Sequence, residues 1–299
     1  MNEYINALTK EISLFKNIYS LKPKTIYFGG GTPSLLNKNE IQEVLSCFDL
    51  SHLEECTLEA NPHNINAKFA EEVIESGVDR ISMGAQSFLD KELKLLGRLH
   101  NRNKIMEAWI VLKQTGFTNL SLDLIYGLPS QNIKDLEYSI DEILKLSPEH
   151  ISIYCLSLEK KVPMYELRKG IPDDEQVADF YHYIRERLIN SGYDQYEISN
   201  FSRPGFQSRH NLSYWNDKFY LGLGPSASGY VYKTEPGNEF VRIRYTNEAD
   251  LYLYYKGLED NKILQDKQIL TAGDHEKEFI FLNLRKTEGY QIAVERFPE

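Results

Sequence analysis

The chain has 299 residues, 41% of them hydrophobic, enough for one large domain or a domain with an appendage. Its 34 basic and 44 acidic side chains give a net charge of −10, which repels a phosphate backbone and excludes general nucleic-acid or anionic-membrane binding. No stretch reaches the roughly 20 apolar residues of a membrane helix, "MNEYINALTKE" has no signal-peptide pattern, and Cys47, Cys56 and Cys155 form no CxxC pair, so a cytoplasmic protein with inert thiols is expected.

An opening helix, "NEYINALTKEISLF", precedes the first β-branched run, "KTIYF", near residue 25. Further runs follow: "CTLEA" near 56, "RISMGAQ" near 80, "NLSLDLIYG" near 119 and "HISIYCLSL" near 150. Between them lie amphipathic patterns, "NEIQEVLSCF", "AKFAEEVIESG", "KIMEAWIVLKQTG" and "IKDLEYSIDEILKL", with Gly77 and Gly116 as helix stops. This is a repeated βα unit, and right-handed crossovers make the strands parallel, in either a barrel-like or an open doubly wound sheet. A helix is predicted over 173–191, after which the text turns aromatic, glycine-rich and irregular, placing a domain boundary near 195. The division expected is 1–195 and 196–299.

In parallel α/β sheets functional groups gather at the carboxyl ends of strands. Those ends carry Gly29, Gly30, Gly31 and Thr32, then Glu59 and Asn61, Gln86 and Ser87, and Asp123 and Tyr126. Three glycines expose main-chain N–H and C=O groups to a ligand, although a tight strand-to-helix turn asks for the same residues. A P-loop is disfavoured because no Gly-Lys-Ser/Thr follows, and Pro33 interrupts a dinucleotide fingerprint. Glu59 and Asp123 are acceptors for an amine or a ribose diol, and each alone is equally able to cap a helix or pair with an arginine.

The segments "IYFGGGTPSLL", "LEANP", "ISMGAQSF", "LGRLH", "LSLDLIYGLPSQ" and "HISIYCLSLE" resemble, in order and spacing, the radical S-adenosylmethionine (SAM) proteins related to oxygen-independent coproporphyrinogen dehydrogenase. The last third, with "YEISNF", "RHNLSYW" and "YLGLGPSASGY", is similar more narrowly to HemW-type haem chaperones. The resemblance implies an α/β fold, a partial (β/α)6 barrel with a smaller α+β C-terminal region, and a [4Fe-4S] cluster and SAM at the strand ends. It also implies that Gly30, Gly31 and Thr32 meet the methionyl part of SAM, that Glu59 accepts from its amino group, and that Asp123 holds the ribose hydroxyls. Gln86 and Arg98 match residues around the ribose and the carboxylate. A zwitterionic sulfonium needs one carboxylate and one guanidinium in any case, while Arg98 has a local alternative in Asp90 or Glu92.

The family's cluster is held by a CxxxCxxC loop after the first barrel strand, and this sequence has no such motif. Cys47 falls on a predicted helix and Cys56 and Cys155 inside strands, so they do not replace it. The resemblance makes the opening helix the element that follows the cluster loop, and "RKTEGYQIAVERFPE" is similar to the middle of the family's C-terminal region. A sequence that begins after the cluster loop is therefore expected, against the alternative of a protein that has lost the cluster, and the sequence upstream of Met1 decides between them. Because reductive cleavage of SAM is the cluster's work, anaerobic reconstitution of this polypeptide with iron and sulfide is expected to give no stoichiometric [4Fe-4S] absorbance. A full cluster with SAM cleavage would contradict that.

"RHNLSYW" places His210, Asn211, Tyr214 and Trp215 together. Histidine is a competent haem ligand, Arg209 could neutralise a propionate, and the aromatic rings suit a porphyrin face; a histidine among ordinary core aromatics has the same composition. The resemblance makes His210 the candidate haem-iron ligand. Where the family often has a histidine, this chain has Ser228. The function implied is haem binding and transfer to an acceptor protein. The alternatives are a coproporphyrinogen III oxidase, and a cluster-free scaffold that binds SAM or a partner. A peripheral membrane acceptor and a homodimer complete the candidate partners.

Overall fold

The computed structural model describes residues 2–158, 166, 168, 170–234 and 240–289. Residues 290–299, most of the segment compared above with the family's C-terminal region, lie outside the described residues. The chain opens with α1 (Asn2–Lys16), β1 (Thr25–Phe28), α2 (Lys38–Ser46), β2 (Glu55–Ala60), α3 (Ala67–Glu75) and β3 (Arg80–Gln86). There follow α4 (Asp90–Leu95), α5 (Arg102–Thr115), β4 (Asn119–Tyr126), α6 (Ile133–Leu146), β5 (His150–Cys155) and α7 (Asp174–Asn190). After β6 (Asp194–Glu197) and β7 (Asn200–Ser202) come α8 (Arg209–Trp215), β8 (Ser228–Thr234), β9 (Phe240–Asn247), α9 (Leu251–Glu259), β10 (Gln265–Leu270) and α10 (Ala272–Leu284).

Two compact units result, one of Thr25–Lys38 with Glu55–Ser208, the other of Met1–Lys24, Asn39–Glu54 and Arg209–Glu299. The first is a seven-stranded half-barrel sheet in the order β1-β2-β3-β4-β5-β7-β6. Strands β1 to β5 pair in parallel, and β7 and β6 continue the sheet antiparallel past residue 195. Local chemistry sets the rhythm. Asn66, Asn101 and Asn132 accept backbone N–H groups at the starts of α3, α5 and α6, and Gly116, at φ 103°, ends α5 in a left-handed turn.

Alternation along the strands separates two faces. Leu58, Ile81, Met83, Leu120, Leu122 and Ile151 are fully buried on the apolar face. The other face, the inner wall of the half-barrel, is polar and knit across strands. The Ser121 hydroxyl and the Tyr196 hydroxyl each lie 2.7 Å from a ring nitrogen of His150, and Ser208 donates to Glu55 at 3.3 Å. Burial and the nearby Arg80 charge hold His150 well below the usual histidine range, so it stays neutral.

In the second unit β8, β9 and β10 form an antiparallel sheet ordered β10-β9-β8. Helix α1 buries Ile5, Leu8, Ile12 and Phe15, and Phe15 packs with Val231 and Tyr245. Glu11 lies within that buried stripe, fully inaccessible. Its carboxylate accepts from the Gly224 N–H at 2.8 Å, from Asn247 at 2.7 Å and from the Tyr254 hydroxyl at 2.7 Å. The glycine loop beside it needs bare backbone: a Cβ at Gly222 would stand 2.0 Å from the Ser228 carbonyl oxygen, and one at Gly229 would strike the Tyr245 ring at 2.2 Å.

Candidate functional site

The sequence-predicted rim residues of the first unit come together. After β1 the chain runs Gly29-Gly30-Gly31 with Gly30 at φ 90°, a conformation costly for any side chain, and all three glycines are exposed. A Cβ at Gly29 would sit 2.7 Å from the Tyr27 ring and 3.4 Å from a Glu59 oxygen, so the turn lies against the end of β2. Half-buried Thr32 stands at the start of the one-turn helix Pro33–Leu35, and its side chain does not cap it. The Tyr27 hydroxyl donates to Glu59 at 2.7 Å. Burial, with the charges of Glu59 and Asp123 adding to it, raises the Tyr27 pKa, so it stays a donor.

Register places the next residues beside these. Glu59 pairs with Ser82 across β2 and β3, and Asp123 with Ser152 across β4 and β5. The Ser82 hydroxyl donates to both oxygens of Asp123, at 3.1 and 3.3 Å. Asp123 keeps a partial opening to solvent yet is walled by protein elsewhere, and this desolvation raises its pKa to about 6 against the opposing hydrogen bond from Ser152 and the charge of Arg80. At the end of β3 a bulge puts Gln86 at φ 69°. A Cβ at Gly84 would meet the Gln86 amide at 2.7 Å and the Arg98 guanidinium at 3.5 Å, so only glycine lets these side chains lie over the strand.

Arg98 is aimed by the end of α4. Gly97, at φ 66°, turns the chain, and the Arg98 N–H returns to the Leu93 carbonyl at 2.9 Å. Its local alternatives are engaged elsewhere: Asp90 takes the Arg102 N–H, and Glu92 takes Ser87 and Gln131. Burial lowers the Arg98 pKa, and the charge of Asp123 acts against that shift. Bare main chain, two carboxylates, an amide and a guanidinium thus share one rim, a donor and acceptor set that fits a zwitterion carrying a diol.

The three thiols do not fit an iron–sulfur cluster. Cys47, just after α2, belongs to the second unit, whereas Cys56 in β2 and Cys155 at the end of β5 belong to the first. Burial pushes the Cys56 thiol up to about 12, far from a ready thiolate. Among the described residues no group of three His, Cys, Asp or Glu side chains is placed to hold a metal.

The eighth helix carries the haem candidates in the second unit. His210 and Tyr214 are one helical turn apart, with the His210 Nε2 and the Tyr214 hydroxyl at 2.9 Å and the rings edge-on at 4.9 Å. Tyr214 packs edge-on to Tyr220 at 4.5 Å, and Arg285 stacks over Trp215 at 4.4 Å. The Trp215 Nε1 is buried and completes no hydrogen bond. A half-exposed imidazole beside flat aromatic faces fits haem, with one qualification of geometry: the Tyr214 hydroxyl holds the Nε2 direction and must turn aside before iron binds there. Tyr214→Phe is therefore expected to tighten haem binding about fivefold, the worth of one neutral hydrogen bond. Weaker binding in a Soret titration would show that the hydroxyl helps. Arg209, the propionate partner suggested by the sequence, is engaged with Glu54 at 2.6 Å.

Residues 8–143 match the Radical SAM superfamily. The fold agrees: coproporphyrinogen III oxidase HemN from Escherichia coli, a radical SAM enzyme, superposes with a TM-score of 0.78 over 95% of this chain and 68% of that one, at 22% identity, a likeness of fold alone. The sheet, its rim and this match define a radical SAM half-barrel. The haem chaperone HemW of Lactococcus lactis subsp. lactis (strain IL1403) is 36% identical over 99% of this chain and 76% of its own length. HemW of Bacillus subtilis (strain 168) is 36% identical over 100% and 79%, and that of Escherichia coli (strain K12) 33% over 89% and 69%. The chain belongs to the HemW haem chaperone family.

Two features of the sites escaped the sequence. Tyr27 sits in an ordinary strand run, its only signal being that it alternates onto the same face as Glu59. Glu11 was signalled by a lone acid within an apolar helical stripe.

Proposed function

We propose that this protein binds haem through its eighth helix and passes it to an acceptor protein, on a scaffold whose half-barrel rim binds SAM. The observation that carries the reading is its 36% identity to HemW haem chaperones along nearly the whole chain. His210 is the iron ligand, and the rings of Tyr214 and Trp215 shelter the porphyrin face. At the rim, Gly30, Gly31 and Thr32 receive the methionyl group of SAM, Glu59 its ammonium and Arg98 its carboxylate. Asp123 accepts from the ribose hydroxyls and Gln86 lies beside them. Bound SAM supplies a reactive sulfonium, and these residues orient it. The acceptor is a protein, cytoplasmic or peripheral to a membrane; no described helix is long and apolar enough to cross one.

Haem titration of the protein and its His210→Ala variant tests this reading. A Soret shift present in the first and lost in the second supports it. Equal spectra for the two proteins would remove His210 from the site, and no shift in either would remove the function.

A further inference from the structure

Glu59, half-buried at the end of β2, carries the rotamer freedom of a long side chain. Asp123 lies near enough for the two charges to repel, so Glu59 left to itself would turn away from the rim. One contact holds it. The Tyr27 hydroxyl donates to Glu59 Oε1 at 2.7 Å, while Oε2 completes no hydrogen bond or ion pair among the described residues.

That contact sits in a fixed frame. Strands β1 and β2 pair in parallel with Tyr27 opposite Thr57, and Glu59 follows two residues later on the same face. Past the strand ends the two loops are tied again, Asn64 Nδ2 donating to Ser34 Oγ at 2.9 Å. The Tyr27 ring lies against the glycine turn so closely that a Cβ on Gly29 would approach its Cε1 to 2.7 Å, and this confinement limits where the hydroxyl can point. Burial raises the Tyr27 pKa, so the phenol keeps its proton. A neutral donor on one oxygen orients a carboxylate without cancelling its charge, and the bare oxygen is left to accept from a cationic N–H.

We propose that Tyr27 is a positioning residue of the rim: acting through Glu59 and not on the ligand itself, it aims the carboxylate at a ligand's ammonium and so makes the site select adenosyl ligands that carry a free amino group. This inference rests on the SAM reading above. Because Glu59 is oriented before the ligand arrives, binding loses less side-chain freedom than it would with a mobile carboxylate. The consequence is discrimination at the amino group by a residue that lies behind the one that meets it.

The test compares SAM with its deaminated analogue, which keeps the sulfonium, the carboxylate and the nucleoside. Each is titrated by calorimetry into the full chain and into Tyr27→Phe, Glu59→Gln and the double variant. Tyr27→Phe keeps the ring against the glycine turn and removes only the hydroxyl. Wild-type protein is expected to bind SAM about tenfold or more tighter than the analogue, the scale of a charge-assisted hydrogen bond. Tyr27→Phe is expected to narrow that ratio about fivefold with the analogue's affinity unchanged, and to change SAM affinity less than about twofold in the Glu59→Gln background, where the carboxylate it aims is gone. Equal wild-type affinity for the two ligands, a Tyr27→Phe protein that binds SAM as wild type does or weakens both ligands alike, or an equal effect in the two backgrounds would overturn the positioning role and leave SAM binding standing. No binding of SAM by the wild-type protein would reject the SAM reading, and the role of Tyr27 with it.

Discussion

Asp123→Asn is expected to abolish most SAM binding while making the ligand-free protein more stable. The carboxylate sits in a walled position that raises its pKa to about 6, so its charged form is held at a cost that the Ser82 and Ser152 hydroxyls only partly offset. A shift of about two units corresponds to about 3 kcal/mol, and removing the charge should recover about 1–3 kcal/mol in urea unfolding at neutral pH. The sign follows from proton uptake. The folded form holds the proton more tightly than the unfolded chain, so the penalty is full above pH 6 and stability rises as pH falls through that value. Ligand binding runs the opposite way: in the proposed complex two ribose hydroxyls donate to this carboxylate, and affinity for SAM should drop about tenfold or more in the amide variant and fall with the pH through 6 in the wild type. Unchanged SAM affinity in the variant, measured by calorimetry, would detach Asp123 from the ligand.

Glu11→Ala is expected to be the most damaging single change to stability, at about 3–5 kcal/mol. The loss is not that of one contact. Burial raises the Glu11 pKa, and the Tyr254, Gly224 and Asn247 donors oppose that shift. Removing the acceptor strands the Gly224 N–H and the Tyr254 hydroxyl, while the Asn247 amide keeps the Gly222 and Gly224 carbonyls at 3.2 and 2.9 Å, and each buried unsatisfied donor costs about 1–3 kcal/mol. Glu11→Gln keeps the volume and one acceptor oxygen, so it should lose less. Urea unfolding of the two variants separates the cases, and a Glu11→Ala protein within 1 kcal/mol of wild type would show that the network is dispensable.

Much of the half-barrel was legible because its physics is local. Strands buried against helices must alternate, helices must carry a stripe, and Gly116 or Asn132 must stop or start them within a turn of where they act. The rim candidates were read from the rule that parallel strands deliver their ends to a common edge, and the register pairs Glu59 with Ser82, Gln86 with Leu124 and Asp123 with Ser152. What escaped depends on distant pairing. Arg209 looked like a free cation until the fold supplied Glu54, 155 positions earlier. An aromatic cavity lined by Tyr214, Trp215 and Tyr230 is assembled from the eighth helix, β8, β9 and the tenth helix, and no window of sequence contains more than part of it. The change of texture near residue 195 is a feature of composition, and the hairpin of β6 and β7 around it extends the sheet because β7 pairs with β5.

Helix α1 is made well before the residues that complete its buried network. Its buried carboxylate waits for partners lying 213, 236 and 243 residues downstream, whereas the strands from β1 to β7 find theirs within the span Thr25–Ser202. During synthesis at about 5–20 residues per second, roughly ten seconds or more separate the emergence of Glu11 from that of Asn247. For most of that interval Glu11 has none of these three partners, and of the residues packed on Phe15 only Tyr19 has been made.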